Sequence, residues 1–163
     1  MKQLLIVWHS RTGAARRMAL AAGRAAGGDA QVTTRVVAAA DATAKDLLNA
    51  DAYIFAAPEN LAALSGVMKD FFDRTYYPVL GQIEGRPYAL LVAAGSDGSG
   101  AVRQMERIAT GWRLKQAAEP VIVITHAQTP ERIKAPKTLR PEDAARCEEV
   151  GATLAAGLGM GIF

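Results

Sequence analysis

The 163-residue sequence has one cysteine, few aromatic rings, no long apolar run and no block of like charge, and each shortage removes a class of protein. The lone Cys147 cannot close an internal bridge, which excludes a disulfide-stapled scaffold and fits a reducing compartment. Spacing places no histidine beside it, so it reads as a small buried helix residue rather than a nucleophile. The longest uninterrupted apolar stretch, Tyr88 to Ala94, is far shorter than the ~20 residues that span a bilayer. Only the short apolar run Leu4 to Trp8 follows Met1-Lys2-Gln3, with no Ala-x-Ala-like cut site after it. Neither an export signal nor a membrane span is expected, and the expected location is cytoplasmic. Aromatic residues are 6% of the chain, and 19 basic against 16 acidic residues leave a net charge of +3 with no run of five like charges. A nucleic-acid binder gathers Lys and Arg on one face among aromatics, so that partner is excluded.

What the sequence does have is alanine, 33 residues of it, in a composition that is 50% hydrophobic. This suffices for a single domain over residues 1–163, a size that buries about two-thirds of its unfolded surface without metal or disulfide. Short β-rich runs alternate with helical segments. Leu4–Trp8 reads as the first strand, followed by the turn His9-Ser10-Arg11-Thr12-Gly13 and a helix over Ala14–Ala26 that stops at Gly27-Gly28. Gln31–Val37 reads as the second strand, Ala44–Asn49 as a short helix, and Tyr53–Ala57 as the third strand, ended by Pro58 because proline cannot continue a central ladder. A loop from Pro58 to Leu64 leads to a helix capped by Ser65, with Val67, Met68, Phe71 and Phe72 at helical spacing. Tyr88–Ala94 is the fourth strand, about Ala101–Gln116 a helix, Val121–Thr125 the fifth strand and Thr129–Arg140 a surface loop holding Pro130 and Pro136. The last helix starts after Pro141 and runs to about Ala156. Near-continuous apolar strands alternating with helices predict an α/β fold of three layers, α/β/α, around a five-stranded parallel sheet. The common right-handed solution has strand order 2-1-3-4-5 and binds ligands beyond the carboxyl ends of strands one, three and four.

Three loops meet at that edge. Ser10-Arg11-Thr12-Gly13-Ala14-Ala15 offers two hydroxyls, a glycine and free backbone N–H groups at a helix N-terminus, a cradle for a monophosphate. It lacks GxGxxG and the Gly-Lys-Ser/Thr ending of a P-loop, which argues against NAD in a Rossmann half and against ATP. The same residues also suit a plain helix start, in which Ser10 or Thr12 caps and Gly13 eases the turn. Pro58-Glu59-Asn60-Leu61-Ala62 and Gly95-Ser96-Asp97-Gly98-Ser99-Gly100 are the other two loops. A planar ring between them, with its phosphate on the first, uses all three. No metal site is expected.

The pattern Ser-x-Thr-Gly-x from Ser10, together with Ala-Pro-Glu-Asn-Leu-Ala-Ala-Leu-Ser-Gly-x-Met-Lys-Asp-Phe-Phe-Asp-Arg from Ala57 to Arg74, resembles the flavodoxin and NADPH-dependent FMN reductase superfamily. Similarity extends from Met1 to about His126. The resemblance implies a flavodoxin-like fold with FMN as cofactor. Phosphate contacts then map onto Ser10, Arg11, Thr12, Gly13, Ala14 and Ala15, and isoalloxazine contacts onto Pro58, Glu59, Asn60 and Leu61 and onto Gly95, Ser96, Asp97 and Gly98. Many relatives carry a third hydroxyl where this chain has Ala15, and Arg11 is the residue placed to compensate by charge. Long flavodoxins sandwich the ring between aromatics; neither ring loop here contains one, which leaves the flavin face open. An open flavin suits an NAD(P)H-dependent oxidoreductase that passes hydride through FMN to a quinone, a flavin or a similar planar small-molecule acceptor. No catalytic side chain is then required, because flavin N5 carries the chemistry. A flavodoxin-type electron carrier is the alternative, disfavoured by the charge of +3 because such carriers are acidic. A cofactor-free interaction module on the same fold is a third.

The remaining residues of note have plainer expectations. His9 beside the cradle suits a nicotinamide contact, although strand-end histidines more often just pack, and His126 is a weaker candidate still. Trp8, Phe55, Phe71 and Phe72 fall on core positions, Asp73 and Arg74 on local polar contacts, and Arg103, Arg107 and Arg113 on solvated helix faces. Tyr76-Tyr77-Pro78-Val79-Leu80 reads either as a contact patch for a homodimer or homotetramer, as many such reductases form, or as a helix end buried in the monomer.

Overall fold

A computed structural model describes all of residues 1–163. Its elements in chain order are β1 Lys2–Trp8, α1 Ala14–Ala26, β2 Val32–Ala38, α2 Ala44–Asn49, β3 Ala52–Asn60, β4 Ala63–Leu64, α3 Gly66–Val79, β5 Pro87–Ala94, α4 Ser99–Gly111, β6 Lys115–Gln116, β7 Val121–Ile124, α5 Pro130–Lys134 and α6 Pro141–Gly159. The parallel sheet runs β2-β1-β3-β5, and β6 and β7 share the fifth position. β6 pairs with Pro87 and Tyr88, and β7 with Leu91 to Ala94. The five sheet positions therefore follow the predicted 2-1-3-4-5 order, with the fifth strand broken in two around Pro120. The two-residue β4 is an antiparallel addition on the end of β3.

Strand alternation sorts the side chains into two unlike cores. Leu5, Val7, Tyr53, Phe55, Leu90 and Val92 face α2, α3 and α4, whereas Leu4, Ile6, Ile54, Ala56, Leu91 and Ala93 face α1 and α6. All the fully packed aromatics lie in the first. Phe55 meets Phe72 edge-on at 5.1 Å, and Trp112 stacks on Tyr76 at 5.6 Å while its indole N–H donates to the Tyr76 carbonyl. The second core is built of small residues: 11 of its 23 members are alanine. Much of the alanine in the sequence thus serves one face, where it lets α1 and α6 lie close to the sheet and to each other.

Several boundaries differ from expectation, each for a local reason. β3 does not stop at Pro58 but runs on to Asn60. Ala56 on the same strand edge accepts from His9 N–H, so the hydrogen missing from Pro58 points to where β1 has already ended and no bond is lost. The loop expected from Pro58 to Leu64 is instead a β3–β4 hairpin. The helix expected to reach Gln116 stops at Gly111: Arg113 adopts φ 57°, its N–H reaches Thr110 O, and Leu114 N–H reaches Ala109 O. That is a Schellman closure with arginine in the usual glycine place. Thr129–Arg140 contains the short α5, capped by the Thr129 hydroxyl. Asp73 and Arg74 make the expected local contacts, to Lys69 and Asp70 one helical turn back, and Arg74 also donates to the distant Ala39 and Ala42 carbonyls. The Tyr76–Leu80 segment divides: Tyr76 and Val79 pack inward, whereas Tyr77 and Leu80 are exposed. Val67 is exposed too, while Met68, Phe71 and Phe72 are buried as their spacing predicts. Cys147 is fully buried in α6, and burial pushes its thiol up to about 12, where a thiolate nucleophile is excluded at neutral pH. No helix is long and apolar enough to cross a membrane.

Candidate functional site

The carboxyl ends of β1, β3, β5 and β7 open into a cleft of about 640 Å³, within the ~300–1,000 Å³ of small-molecule sites. A depression of about 650 Å³ also lies at the amino edge of the sheet, lined by Met1, Lys2, Ala30, Gln31, Asp51 and Gly159. There Lys2 and Asp51 neutralise each other at 3.0 Å and nothing converges on a ligand, so the cleft at the carboxyl edge is the candidate site.

Its base is the turn between β1 and α1. Gly13, at φ 106°, is the N-cap of α1, and no side chain caps the helix. The Ser10 hydroxyl accepts from Gly13 N–H at 3.0 Å, which fixes the turn but leaves the helix start open. The N–H groups of Arg11, Thr12, Ala14 and Ala15 have no acceptor in the chain. Four free donors, the Thr12 hydroxyl and the positive end of a 13-residue helix together suit a phosphate monoester. The plain-cap reading of Ser10 and Thr12 does not describe this turn.

One wall is the β3–β4 hairpin. Leu61 and Ala62 both adopt left-handed φ, 51° and 63°, as a two-residue hairpin demands and as leucine and alanine resist. Three contacts hold the hairpin against α4. Glu59 Oε1 accepts from Gly98 N–H at 2.9 Å and Oε2 from Ala101 N–H at 3.1 Å. Gln104 Oε1 accepts from Leu64 N–H at 2.6 Å. The bare α-carbon of Gly100 lies against the Ala62 carbonyl, with no room for a side chain. The hairpin and the Gly95–Gly100 loop are thus clamped together.

The other wall is one that the sequence did not disclose. Thr125, Ala127, Gln128, Ile133, Lys134 and Lys137 line the cleft opposite the hairpin. The only signal for it was three cations, Arg132, Lys134 and Lys137, in a short proline-flanked stretch. Gly95 forms the floor where this segment crosses, and a Cβ there would press on Ala127 O at 3.0 Å. Of the candidate residues, Ser10, Arg11, Thr12, Ala14, Ala15, Pro58, Glu59, Asn60, Leu61, Gly95 and Ser96 line the cleft. Gly13 and Gly98 sit behind it as helix starts. Asp97 is exposed, accepts from Ser99 N–H at 3.2 Å and is not part of the lining. Cations on the lining are Arg11, Lys134 and Lys137, and the one carboxylate, Glu59, is already occupied by two backbone donors.

Ser65 is the N-cap residue of α3, as expected, but its side chain makes no cap bond. Its buried hydroxyl instead meets His9 Nδ1 at 2.8 Å, below the hairpin. Burial first, and the Arg11 guanidinium second, hold the His9 imidazole below its usual 6.5. Between that lowered value and 6.5 the unfolded chain binds more protons than the folded one, so stability is whole above 6.5 and is lost as pH falls through the window. Urea midpoints are expected to drop as the pH falls below the usual histidine value of 6.5, and His9→Asn is expected to flatten this part of the profile. An undiminished drop in the variant would assign the titration to another group. His126, exposed at φ 57°, takes no part in the cleft.

Residues 25–129 match the NADPH-dependent FMN reductase family. The matched stretch contains the hairpin and the Gly95 loop and begins within α1, beyond the cradle. A flavodoxin from Aquifex aeolicus (strain VF5) is 29% identical over 100 residues, 61% of this chain and 54% of that protein, so the chain spans about half the length of that relative. Among solved structures, a flavodoxin from the domain Archaea superposes with a TM-score of 0.78 at 18% identity, covering 96% of this chain and 98% of that one. A WrbA-like flavodoxin protein from Agrobacterium tumefaciens superposes at 0.73 with 16% identity and 99% of both chains. The rubredoxin oxygen:oxidoreductase of Desulfovibrio gigas does so at 0.78 with 13% identity, over 99% of this chain but 37% of that one. These likenesses establish the flavodoxin-like fold. With well over half of its residues matched to one family model, the chain belongs to the family described as NADPH-dependent FMN reductase and is an FMN flavoprotein.

Proposed function

We propose that the protein is an NAD(P)H-dependent oxidoreductase that passes reducing equivalents through FMN to a quinone, a flavin or a similar planar acceptor. Bound FMN supplies the centre that accepts and gives up hydride. The chain's part is to hold and expose it. Ser10 to Ala15 receive the phosphate, Pro58 to Leu61 and the Gly95–Ser96 floor receive the ring, and no side chain has to act as acid or base. The observation that carries the reading is the lining itself, which contains no aromatic residue to cover a flavin face and so leaves room for nicotinamide and then acceptor. The cationic rim of Arg11 and Lys134 supports it, since both are free to meet the phosphates of a dinucleotide. Buried, unreactive Cys147 is in keeping with a cytoplasmic setting.

A flavodoxin-type electron carrier is the second reading, favoured by the Aquifex relative. The net charge of +3 weighs against docking on basic partners. FMN-loaded protein is expected to consume NADPH or NADH steadily when benzoquinone, menadione or free FMN is added, followed by the loss of nicotinamide absorbance. A loaded protein that leaves both NADPH and NADH unconsumed with all three acceptors would overturn the reductase reading.

A further inference from the structure

We propose that Lys137 sets the affinity of the cradle for a phosphate monoester by acting through the Thr12 hydroxyl. The inference rests on Ser10 to Ala15 being the phosphate loop of the FMN site, and it concerns a residue outside that loop. The segment after β7 is fastened to the loop by its backbone: Lys137 N–H donates to Thr12 O at 2.7 Å, and Lys137 O accepts from Arg17 Nε at 2.9 Å. Gly13 lies directly beneath, 3.5 Å from the same Lys137 carbonyl to where a Cβ would stand. The Lys137 ammonium is held by the carbonyls of Arg132, Ile133 and Ala135, at 2.7, 3.0 and 2.6 Å, and its further neighbour is Thr12 Oγ1 at 3.4 Å. It is the one half-buried cation of the segment; Arg132 and Lys134 are exposed.

Two consequences follow from chemistry. A hydroxyl oxygen that faces an ammonium turns its own hydrogen away, so Thr12 O–H is aimed as a donor while the free N–H groups of Arg11, Thr12, Ala14 and Ala15 surround the same space. A fixed positive charge beside a phosphate carrying about −1.5 to −2 strengthens every hydrogen bond in the cradle. Ala15 offers no hydroxyl, and the ammonium makes good that loss through Thr12. Lys137 is thus a positioning residue, since the three carbonyls already engage its protons.

The test is the binding of FMN and of riboflavin, which differ only in the phosphate, followed by quenching of flavin fluorescence. Lys137→Met keeps the aliphatic stem and removes the charge. It is expected to weaken FMN by about tenfold to a hundredfold and to leave riboflavin within about twofold. Lys137→Arg is expected to restore most of the FMN affinity. In a Thr12→Val background the loss caused by Lys137→Met is expected to shrink to under about threefold, because the two side chains act as one unit. Equal weakening of FMN and riboflavin would reduce Lys137 to a clasp for α5 and overturn the proposal. So would an unchanged FMN affinity, or an unaltered protein that binds both flavins alike. Phosphate discrimination that depends on Lys137 without any NADPH or NADH turnover would uphold this proposal and sink the reductase reading, so the two fail separately.

Discussion

Gly151→Val is expected to destabilise the protein by about 3 kcal/mol, a fall of roughly 6–12 °C in Tm for a domain of this size. Gly151 stands in the middle of α6 where it crosses α1, and a Cβ there would run into the backbone of Ala22. The obstacle is main chain, not a pliable side chain, so the two helices must separate. Helix propensity acts the other way, since replacing an interior glycine by alanine gains at most ~1 kcal/mol. Even Gly151→Ala is therefore expected to be a net loss, of about 1–2 kcal/mol. Gly66→Ala at the start of α3 is the control, because a Cβ there meets nothing within 4 Å and the exchange is expected to be neutral or stabilising. The consequence for function follows from the fold. α1 carries the cradle at its N-terminus, so moving α1 off α6 shifts Ser10 to Ala15 against the hairpin and the Lys137 segment. Thermal unfolding of the three variants decides the matter: an unchanged Tm for Gly151→Val would mean that the α1–α6 contact is looser than the alanine-rich face makes it.

How far the sequence discloses this protein depends on whether a feature is local. Leu4–Val7, Tyr53–Ala57 and Tyr88–Ala94 declare buried parallel strands because apolar runs of that length have no other place in a small α/β chain, and the strand order follows from handedness. The cradle is legible for a related reason, since a hydroxyl-rich turn between strand and helix exposes its donors by itself. Glu59 is not legible in its real role. Its neighbours Pro58 and Asn60 suggest a ring contact, but its carboxylate finds Gly98 and Ala101, residues about forty positions away, which only the packed hairpin brings near. Ser65 stands where the sequence puts a cap, but His9 takes its hydroxyl. Arg113 conceals a helix end because arginine seldom adopts the left-handed conformation that glycine announces. Lys137 is the extreme case. It follows an unremarkable stretch between prolines, and its meeting with Thr12 exists only because the chain folds back from β7 across the mouth of the cleft.

Glu59→Ala is expected to cost about 2–3 kcal/mol and to weaken FMN and riboflavin by the same factor, about tenfold. Each carboxylate oxygen accepts one N–H at the start of α4, where the helix dipole also favours negative charge. With the acceptor gone, Gly98 N–H is left buried without a partner. The hairpin feels the loss as well. Leu61 and Ala62 are held in left-handed conformations that cost ~1–2 kcal/mol each, and Glu59 supplies two of the three contacts that hold the hairpin against α4. Released, the turn relaxes outward and the ring wall goes with it. Glu59→Gln retains one acceptor but aims an NH2 group at the second N–H, so about half of the loss is expected. The contrast with Lys137→Met is the useful part. A wall that holds the ring should treat FMN and riboflavin alike, whereas a charge that acts on the cradle should separate them. If Glu59→Ala weakened FMN alone, the hairpin would be acting on the phosphate and the division of the cleft into a ring wall and a phosphate wall would fail. Equal losses for both flavins, with a matching fall in urea midpoint, would place Glu59 as the clamp between β3 and α4 that shapes the ring site.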